Sequence, residues 1–293
     1  MTAAYDVLLR ARRLINGPRR DLTTTASTAL TSSGTSLTVA SATGIAAQSV
    51  IEVGLEQMLV TNVVGTVLTL GRGYNGTLPT AHPIGSFVLV NPTVTMWDLV
   101  QSANAELASL SSPQNGLYRP LHVDISTNTS RLGFDLTGVA EGFIGILGVR
   151  YRRSAQLDWV SMRNGWQVML DASSTDFPSG VGIYFPNGLP GAYTTRVWYK
   201  AAFQPLSGDG AEDVSARTGL SLQAEDIVSL GAAIRTVEGR GIARSDPFTQ
   251  GDTRRAGEAS TTDTLQATSA LRSTRAQRIA EEAARLQTQW ATL

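Results

Sequence analysis

The chain has 293 residues, no cysteine, and 24 basic residues that balance 24 acidic ones. This length suffices for one large or two smaller domains, and the lack of cysteine excludes disulfides, thiolate nucleophiles and zinc sites that need sulfur. Because the net charge is zero, the molecule as a whole has no electric field that would draw it to nucleic acid or to an anionic membrane.

No apolar run approaches the ~20 residues needed to span a bilayer. Residues 1–16 are amphipathic and rich in arginine, whereas a signal peptide has a charged start followed by an apolar block. We therefore expect a soluble protein with no membrane partner and no conventional signal peptide.

The first predicted element is a helix over residues 3–16, which Gly17 and Pro18 end. Its apolar residues lie on one helical face: Ala4, Val7, Leu8, Ala11, Leu14 and Ile15. Five arginines surround its C-terminal end, namely Arg10, Arg12, Arg13, Arg19 and Arg20. They either stabilise the negative end of the helix dipole or contact DNA phosphates or an acidic partner, and both interpretations remain open.

Residues 22–91 change to short β-branched runs separated by glycine, which predict antiparallel strands. The predicted strands are residues 36–40, 50–53, 57–62, 67–70 and 86–90. Five short strands with tight turns are typical of a small barrel or sandwich.

A second helix is predicted over residues 93–110, where apolar residues recur at helical spacing before Pro113 breaks the pattern. A second β region follows as far as Leu206. Its candidate strands are residues 132–135, 143–153, 159–161, 167–170, 182–185 and 194–203. Turn formers such as Asn164-Gly165 separate them, and about six strands of this kind predict a β-sandwich.

The final third is predicted to be helical. Ser221 is the expected N-cap of a helix that ends near Arg240 and Gly241. A polar linker is predicted over residues 243–262. The last helix, residues 263–291, aligns four residues on a narrow apolar stripe that suits docking onto a neighbour: Ile279, Ala283, Leu286 and Trp290.

These elements predict an α+β protein with a helical core of about four helices and two inserted antiparallel β modules, a small barrel and a β-sandwich. The reason is that four one-sided helices bury their apolar stripes most readily against one another. The predicted segments are an N-terminal helix (1–20), a small β module (21–92), a core helix (93–118), a β-sandwich (119–206), a second core helix (207–241), and a linker with a C-terminal docking helix (242–293).

No stretch has a specific signature of catalysis or of cofactor binding, so we expect a protein that is not an enzyme and has no cofactor or metal site. Residues 71–76 match the dinucleotide pattern G-x-G-x-x-G, but Thr77-Leu78-Pro79 follows where a helix would have to begin to hold a pyrophosphate. We interpret this segment as a glycine-rich turn between strands. His82 and His122 have no second ligand at a metal-binding spacing and are interpreted as structural. A Ser-His-Asp triad assembled from distant positions remains open, although the G-x-S-x-G elbow is absent.

Two further groups have a structural and a functional interpretation. Asp209, Glu212 and Asp213 lie in a glycine-rich loop that is either solvated or attracts a hard cation, although their spacing is not that of a calcium loop. Aromatic residues cluster in the second β region, where they either fill a sandwich core or stack on sugars. They are Trp159, Trp166, Tyr184, Phe185, Tyr193, Trp198 and Tyr199.

Two stretches resemble a β module that recurs in structural proteins of tailed bacteriophages. They are residues 51–61 (IEVGLEQMLVT) and residues 68–77 (LTLGRGYNGT), the second followed by Ala81-His82. The order of elements around this module resembles that of the head-to-tail connector (adaptor or neck) proteins of these phages. The similarity covers most of residues 1–240 as an arrangement more than as strict motifs, and the module alone does not fix a position in the particle.

The resemblance implies a structural subunit in the neck of the virion, between head and tail. Such proteins form rings, commonly of twelve copies, that contact the portal protein and tail or neck proteins, while genomic DNA passes through the lumen without sequence-specific binding. We expect the partner contacts to come from the five arginines around the first helix and from Ile279, Leu286 and Trp290. The alternatives are another tail or baseplate protein, a carbohydrate- or receptor-binding module, and an enzyme.

Overall fold

The computed structural model describes residues 2–16, 21–136, 138–139, 142–154, 158–162, 164–170, 173, 175–188, 191, 193–208, 210–244 and 261–290. This part of the chain has thirteen β-strands and five α-helices. It divides into two compact units: the barrel unit comprises residues 1–107 and 205–278, and the sandwich unit comprises residues 108–204 and 279–293.

The barrel unit contains one antiparallel sheet of six strands. They are β1 (Leu22–Thr25), β2 (Ser36–Thr38), β3 (Val50–Val53), β4 (Glu56–Val64), β5 (Val67–Gly71) and β6 (Phe87–Val90), in the order β1-β6-β3-β4-β5-β2. A bridge between Ala26 and Val39 joins the chain just beyond the two edge strands, so the sheet curls towards closure. Inward-facing side chains fill its interior, including Leu37, Ile51, Met58, Leu68 and Val88.

The β3–β4 and β4–β5 connections are two-residue hairpins. Gly54 at φ 63° and Gly65 at φ 60° occupy the first loop position of each hairpin. Only glycine adopts this left-handed backbone without strain, and such turns match the twist of the paired strands. The tip of the β4–β5 hairpin therefore has a defined shape.

The helices are α1 (Ala4–Asn16), α2 (Met96–Leu110), α3 (Val214–Thr218), α4 (Glu225–Arg244) and α5 (Thr261–Trp290). Within the barrel unit α1 packs against α4. α4 also lies close to α2, because a Cβ built on Gly231 would clash with the Glu106 side chain. A larger residue at this position of α4 would therefore require the Glu106 side chain to move.

The sandwich unit has two antiparallel sheets. The four-stranded sheet, ordered β10-β9-β13-β7, contains β7 (Arg119–Thr127), β9 (Phe143–Arg152), β10 (Val160–Met162) and β13 (Tyr193–Ala201). The three-stranded sheet, ordered β11-β12-β8, contains β8 (Gly133–Asp135), β11 (Gln167–Leu170) and β12 (Val181–Tyr184). Both sheets contribute to one buried cluster that includes Ile125, Phe134, Val149, Ile183 and Val197. The sheets therefore share a single hydrophobic core.

The prediction of a helical core with inserted β modules was wrong. The described residues form a β-rich protein in which thirteen strands make three antiparallel sheets. Each sheet hides a whole face of large β-branched and aromatic side chains, whereas a one-sided helix hides only a stripe. α4 approaches α2 through glycine, and over residues 268–290 α5 buries only Thr268, Ile279, Glu282 and Leu286.

Two sequence predictions fall on residues that the structure does not describe. Gly17 and Pro18, the predicted stop of the first helix, lie outside the described residues, as do residues 245–260 of the predicted linker. Three elements were missed by the sequence analysis, namely β1, β7 and the short helix α3.

Candidate functional site

The barrel interior contains a buried ionic network centred on Glu56 of β4. The Arg72 guanidinium donates to both carboxylate oxygens of Glu56, from Nε to Oε1 at 2.6 Å and from Nη2 to Oε2 at 2.8 Å. His82 Nε2 lies 2.8 Å from Oε2, and the Thr80 amide donates to the same oxygen at 3.0 Å. Burial alone would raise the pKa of Glu56, but the hydrogen bonds from Arg72, His82 and Thr80 outweigh it and lower the pKa to about 2.

Arg72 also connects two loops. Its Nη1 donates to the carbonyl oxygens of Thr31 and Gly34 at 2.7 and 2.6 Å, and its Nη2 donates to that of Thr80 at 2.6 Å. Glu56 and Arg72 thereby hold the loops around residues 31–34 and 72–80 in one arrangement. We call the Glu56, Arg72, Thr80 and His82 group the ionic clasp.

The residues that match the dinucleotide pattern form part of this clasp. A single 3₁₀ turn, Tyr74–Gly76, follows Gly73, and the next regular element is the strand β6. Gly73 adopts φ 65°, and a Cβ there would lie 3.0 Å from the carbonyl oxygen of Thr77. No α-helix begins at this turn, which connects β5 to β6, and the His82 ring lies against the Glu56 carboxylate.

A second buried carboxylate, Glu52 of β3, lies at the start of α2. It accepts a hydrogen bond from the Met96 amide, and its Oε2 lies 3.8 Å from Nη1 of Arg12 without a hydrogen-bond partner. Burial raises the pKa of Glu52 to about 7, against the lowering effect of the helix amides and of Arg12. Glu52 therefore has fewer compensating donors than Glu56, although both are fully buried.

The barrel surface, by which we mean the exposed residues of the segment 22–97, carries no exposed charged side chain. This segment, all of which is described, contains only Glu52, Glu56 and Arg72 as acidic or basic residues, together with His82. All four side chains are buried, the most exposed being His82 at 8%. By contrast, about 25–35% of a typical soluble surface is charged.

Large apolar side chains are exposed on the same barrel surface. Phe87, Ile84 and Leu78 are exposed at 72%, 68% and 68%, and all three belong to residues 74–87, which we call the apolar loop. Val64 is exposed at 67% and lies directly opposite Val67 across the β4–β5 hairpin. We call residues 64–67 the hairpin tip. Residues 22–97 therefore present large exposed apolar side chains at two places along the sequence and contribute no exposed charge.

The sandwich unit presents a different surface, formed by arginines of β9 and β13 and by the tryptophan that precedes β10. Arg152 and Arg196 each place a guanidinium over the Trp159 ring, 4.5 Å from its centroid. Arg196 also forms a two-pronged pair with Asp124, with both N–O distances at 2.7 Å. Because guanidinium groups already occupy Trp159, this ring is not free to stack on a sugar.

The predicted partner-contact arginines lie in different environments. Arg12 is buried and paired with Asp21 at 2.7 Å, whereas Arg10 is partly exposed and lies 3.5 Å from Glu225. Arg13 is exposed. Arg19 and Arg20 lie outside the described residues. The structure therefore does not gather these arginines into one described site.

The predicted contact residues of α5 are engaged within the chain. Ile279 and Leu286 are buried, and the Trp290 ring lies 4.9 Å from that of Trp198 in the sandwich unit. The aromatic row continues to His122, whose ring is 4.7 Å from Trp198. These residues have little area left for a partner while α5 stays in this position.

Sequence reasoning missed a second ionic cluster, centred on Glu106 of α2. This buried carboxylate accepts from Nε of Arg235 at 3.0 Å and from Nε of Arg275 at 2.6 Å, which joins α4 and α5 to α2. Its signal in the sequence was an acidic residue on the apolar face of a predicted helix, where an unpaired charge would be costly.

The acidic loop does not form a cation site in the described residues. The Glu212 carboxylate accepts from the Ser207 amide at 2.9 Å, and Asp213 caps α3 by accepting from the Ala216 amide at 2.8 Å. Asp209 lies outside the described residues. Within the described part of the chain, no group of three histidine, aspartate or glutamate side chains is arranged to hold a metal ion.

No protein-family model matches the chain, and no curated protein matches it significantly. Among the described helices, none combines the length and the apolar character needed to cross a lipid bilayer.

Proposed function

We propose that this chain is a structural subunit of a tailed-bacteriophage particle, a head-to-tail connector that forms a ring between the portal and the tail. The sequence support is the resemblance of residues 51–61 and 68–77 to the phage β module and the order of elements around it. Genomic DNA passes through such a ring without sequence-specific contacts.

The observation that carries the proposal is the ionic clasp. Arg72 and His82 both bond to Glu56, and all three are buried and belong to the stretches that resemble the phage module. Buried side chains that bond to one another in this way stabilise the fold, because their hydrogen-bond donors and acceptors are already satisfied and cannot bind a substrate. The module therefore serves to hold a defined surface in place, which suits a subunit whose function is geometric.

The barrel surface supports assembly in the same way. It combines exposed Leu78, Ile84 and Phe87 with a complete lack of exposed charge. Several large apolar side chains exposed in a segment without exposed charge favour a contact with another macromolecule. In a ring, every copy buries such surfaces against its neighbours.

Cryo-electron microscopy of phage particles that contain this chain tests the proposal. We expect density that fits both units of the chain in a ring at the head–tail junction. Density for the chain along the tail or in the baseplate would favour the alternative of another tail protein, and absence of the chain from purified particles would overturn the structural-subunit proposal.

The carbohydrate-binding alternative depends on exposed aromatic rings in the sandwich unit. Trp159 is covered by guanidinium groups, and Trp198 lies between His122 and Trp290 in the aromatic row. These contacts disfavour stacking on a sugar at either ring. Specific binding of the purified chain to a glycan array would nevertheless promote this alternative over the connector.

A further inference from the structure

We propose that the outer face of the four-stranded sheet in the sandwich unit binds the phosphate backbone of nucleic acid. At its centre are three arginines on adjacent strands, Arg150, Arg152 and Arg196, which we call the arginine face. The inference deepens the proposed function by naming a surface for DNA, and only the identification of that DNA as a phage genome rests on the proposed function.

Strand register places the three arginines side by side. Arg150 of β9 lies directly opposite Arg196 of β13, and Arg152 lies two residues further along the same face of β9. The neighbouring residues Val149 and Val197 point the other way, into the buried cluster between the sheets. Like charges that lie directly opposite one another destabilise a sheet. An anion bound over this face would relieve that repulsion.

The arginine face carries more positive charge than the chain neutralises. Arg196 holds Asp124 in a two-pronged pair. Among the described residues, no acidic side chain forms an ion pair with Arg150 or Arg152, and the Nε atom of each is buried without a hydrogen-bond partner. Three guanidinium groups are therefore paired with one carboxylate. This leaves a local positive charge, although the net charge of the whole chain is zero.

Trp159 holds two of these arginines in position. The guanidinium groups of Arg152 and Arg196 each lie 4.5 Å from the centroid of its ring. A guanidinium that stacks on an aromatic ring contacts it through its flat side and keeps the N–H groups at its edge for hydrogen bonds to phosphate. Because stacking restricts these side chains before binding, they lose less conformational freedom when a phosphate binds.

The composition of the face favours nucleic acid over an acidic protein. In register with Arg150 and Arg152 on the neighbouring strands are Ser161 and Thr194, both small and polar. A protein partner gains most of its affinity from apolar and aromatic anchors in desolvated pockets, which these positions do not supply. Interfaces with nucleic acid are instead polar and rich in positive charge.

The density of positive charge on the face also favours nucleic acid. Each strand of a DNA duplex carries roughly one negative charge per 3.4 Å of its axis, fixed by the covalent backbone. A protein would have to gather several carboxylates on a small surface, where they repel one another. A phosphate backbone meets the closely spaced arginines without that cost.

Fluorescence anisotropy of a labelled DNA duplex of arbitrary sequence, titrated with the full-length chain, tests the proposal. Arg150→Gln and Arg152→Gln each remove one positive charge from the arginine face. Arg217→Gln removes one positive charge from the barrel unit, at a side chain that is 47% exposed, and is the matched control. Thermal unfolding followed by circular dichroism first establishes that each variant folds.

We expect the duplex to bind regardless of its sequence and to bind more weakly as salt is raised. Arg150→Gln and Arg152→Gln should each lower the slope of the logarithm of the binding constant against that of the salt concentration by about one, because one phosphate contact is lost. Arg217→Gln should leave the slope and the affinity unchanged. A folded chain that does not bind the duplex at low salt, or an equal loss in all three variants, would overturn the proposal.

Asp124→Asn tests the same face in the opposite direction. It removes the carboxylate that pairs with Arg196 and frees this guanidinium for a phosphate. We expect tighter binding of the duplex and a steeper salt dependence, a gain that partial unfolding would not produce. Unchanged or weaker binding by the folded variant overturns the assignment of the site to the arginine face.

Competition distinguishes nucleic acid from an acidic protein. Polyglutamate presents carboxylates without phosphates, and we expect it to displace the labelled duplex much less effectively than unlabelled duplex at the same concentration of charge. Equal displacement overturns the choice of nucleic acid and favours an acidic protein partner.

The same measurements separate this inference from the connector proposal. A chain that is found in the head–tail ring but does not bind DNA overturns the inference alone. A chain that binds DNA through the arginine face but is absent from phage particles overturns the connector alone.

Discussion

Glu52 and Glu56 show how burial and hydrogen bonding together set the pKa of a carboxylate. Both side chains lie inside the barrel unit on adjacent strands. Glu56 has hydrogen bonds from a two-pronged arginine, a histidine and an amide, whereas the Oε2 atom of Glu52 has no hydrogen-bond partner. Burial therefore prevails at Glu52 and raises its pKa, whereas the hydrogen bonds of Glu56 outweigh burial and lower its pKa.

Glu52 is expected to make stability fall as pH rises. Its pKa is raised from 4.5 to about 7, so the folded state binds the proton more tightly than the unfolded state. The contribution of protonated Glu52 to the free energy of unfolding is complete below pH 4.5 and is lost as pH rises through about 7. Between about pH 5 and about pH 8, we expect the free energy of unfolding of the unsubstituted protein, measured by urea unfolding, to fall on the order of 2–3 kcal/mol. We predict that Glu52→Gln abolishes this fall. The control Glu238→Gln, at a partly exposed residue, should follow the unsubstituted protein, and parallel profiles for all three proteins would contradict the prediction.

Glu56 is expected to act in the opposite sense. Because its pKa is lowered to about 2, its stabilising contribution is present above the ordinary value of 4.5 and is lost as the pH falls towards 2. Glu56→Gln leaves Arg72 buried without a counter-charge, and we predict a loss of about 3–5 kcal/mol in the free energy of unfolding at neutral pH.

A matched control for Glu56→Gln is Asp124→Asn. Asp124 also forms a two-pronged pair with an arginine, Arg196, but its side chain is 35% exposed. Solvent screens this pair, so its loss should cost no more than about 1 kcal/mol. Equal costs for the two variants would show that burial does not set the strength of the ionic clasp.

The clasp was not predicted, although the sequence held a signal for it. Over residues 22–97 the acidic and basic residues are so few that each is a candidate for burial with a partner. Pairing Glu56 with Arg72 would have cancelled both charges inside a strand-rich region. Distance along the chain hides this pairing, because strand register is needed to bring residues 56 and 72 together.

At the level of elements, the approach of α2 and α4 depends on one glycine. Gly231→Ala would place a Cβ against Glu106, and we predict a loss of about 1–3 kcal/mol in the free energy of unfolding. Gly239→Ala on the same helix meets no atom within 4 Å and should stabilise the protein by about 0.5–1 kcal/mol. Urea unfolding of both variants measures the difference, and a neutral Gly231→Ala would show that Glu106 can move aside.

Several strands were predicted well, and two were missed for different reasons. The predicted strands at residues 50–53 and 167–170 coincide with β3 and β11. β1 consists of one leucine and three threonines and has no apolar run, whereas β7 alternates Leu121, Val123 and Ile125 with polar residues, a strand pattern that the sequence analysis overlooked. Both are ordered by pairing with distant partners, Leu22 with Val90 and Thr127 with Tyr193. Local sequence does not contain this information.

On the scale of the whole molecule, the fold class was wrong because the sequence analysis assumed that the helices pack against one another as the core. Most of the predicted stripe residues of α1 and α2 are buried, although Leu14 is exposed at 44%, and periodicity does not show what a stripe packs against. Each β region also has a buried apolar cluster of its own, so the helices do not supply a single core. The exposure of Ile84 and Phe87 was not predicted, because short strand patterns do not show which side chains a connection leaves outside.

The division of the barrel unit between residues 1–107 and 205–278 has a consequence for synthesis. The first helix packs on α4, yet α4 begins only at Glu225. At roughly 5–20 residues per second, a ribosome needs about 10–40 s to travel from one to the other. During that interval Val7 and Leu8, buried in the finished protein, have no α4 to cover them. Nascent chains stalled before Glu225 should therefore recruit chaperones at their N-terminus, and those stalled well past Arg244 should release them.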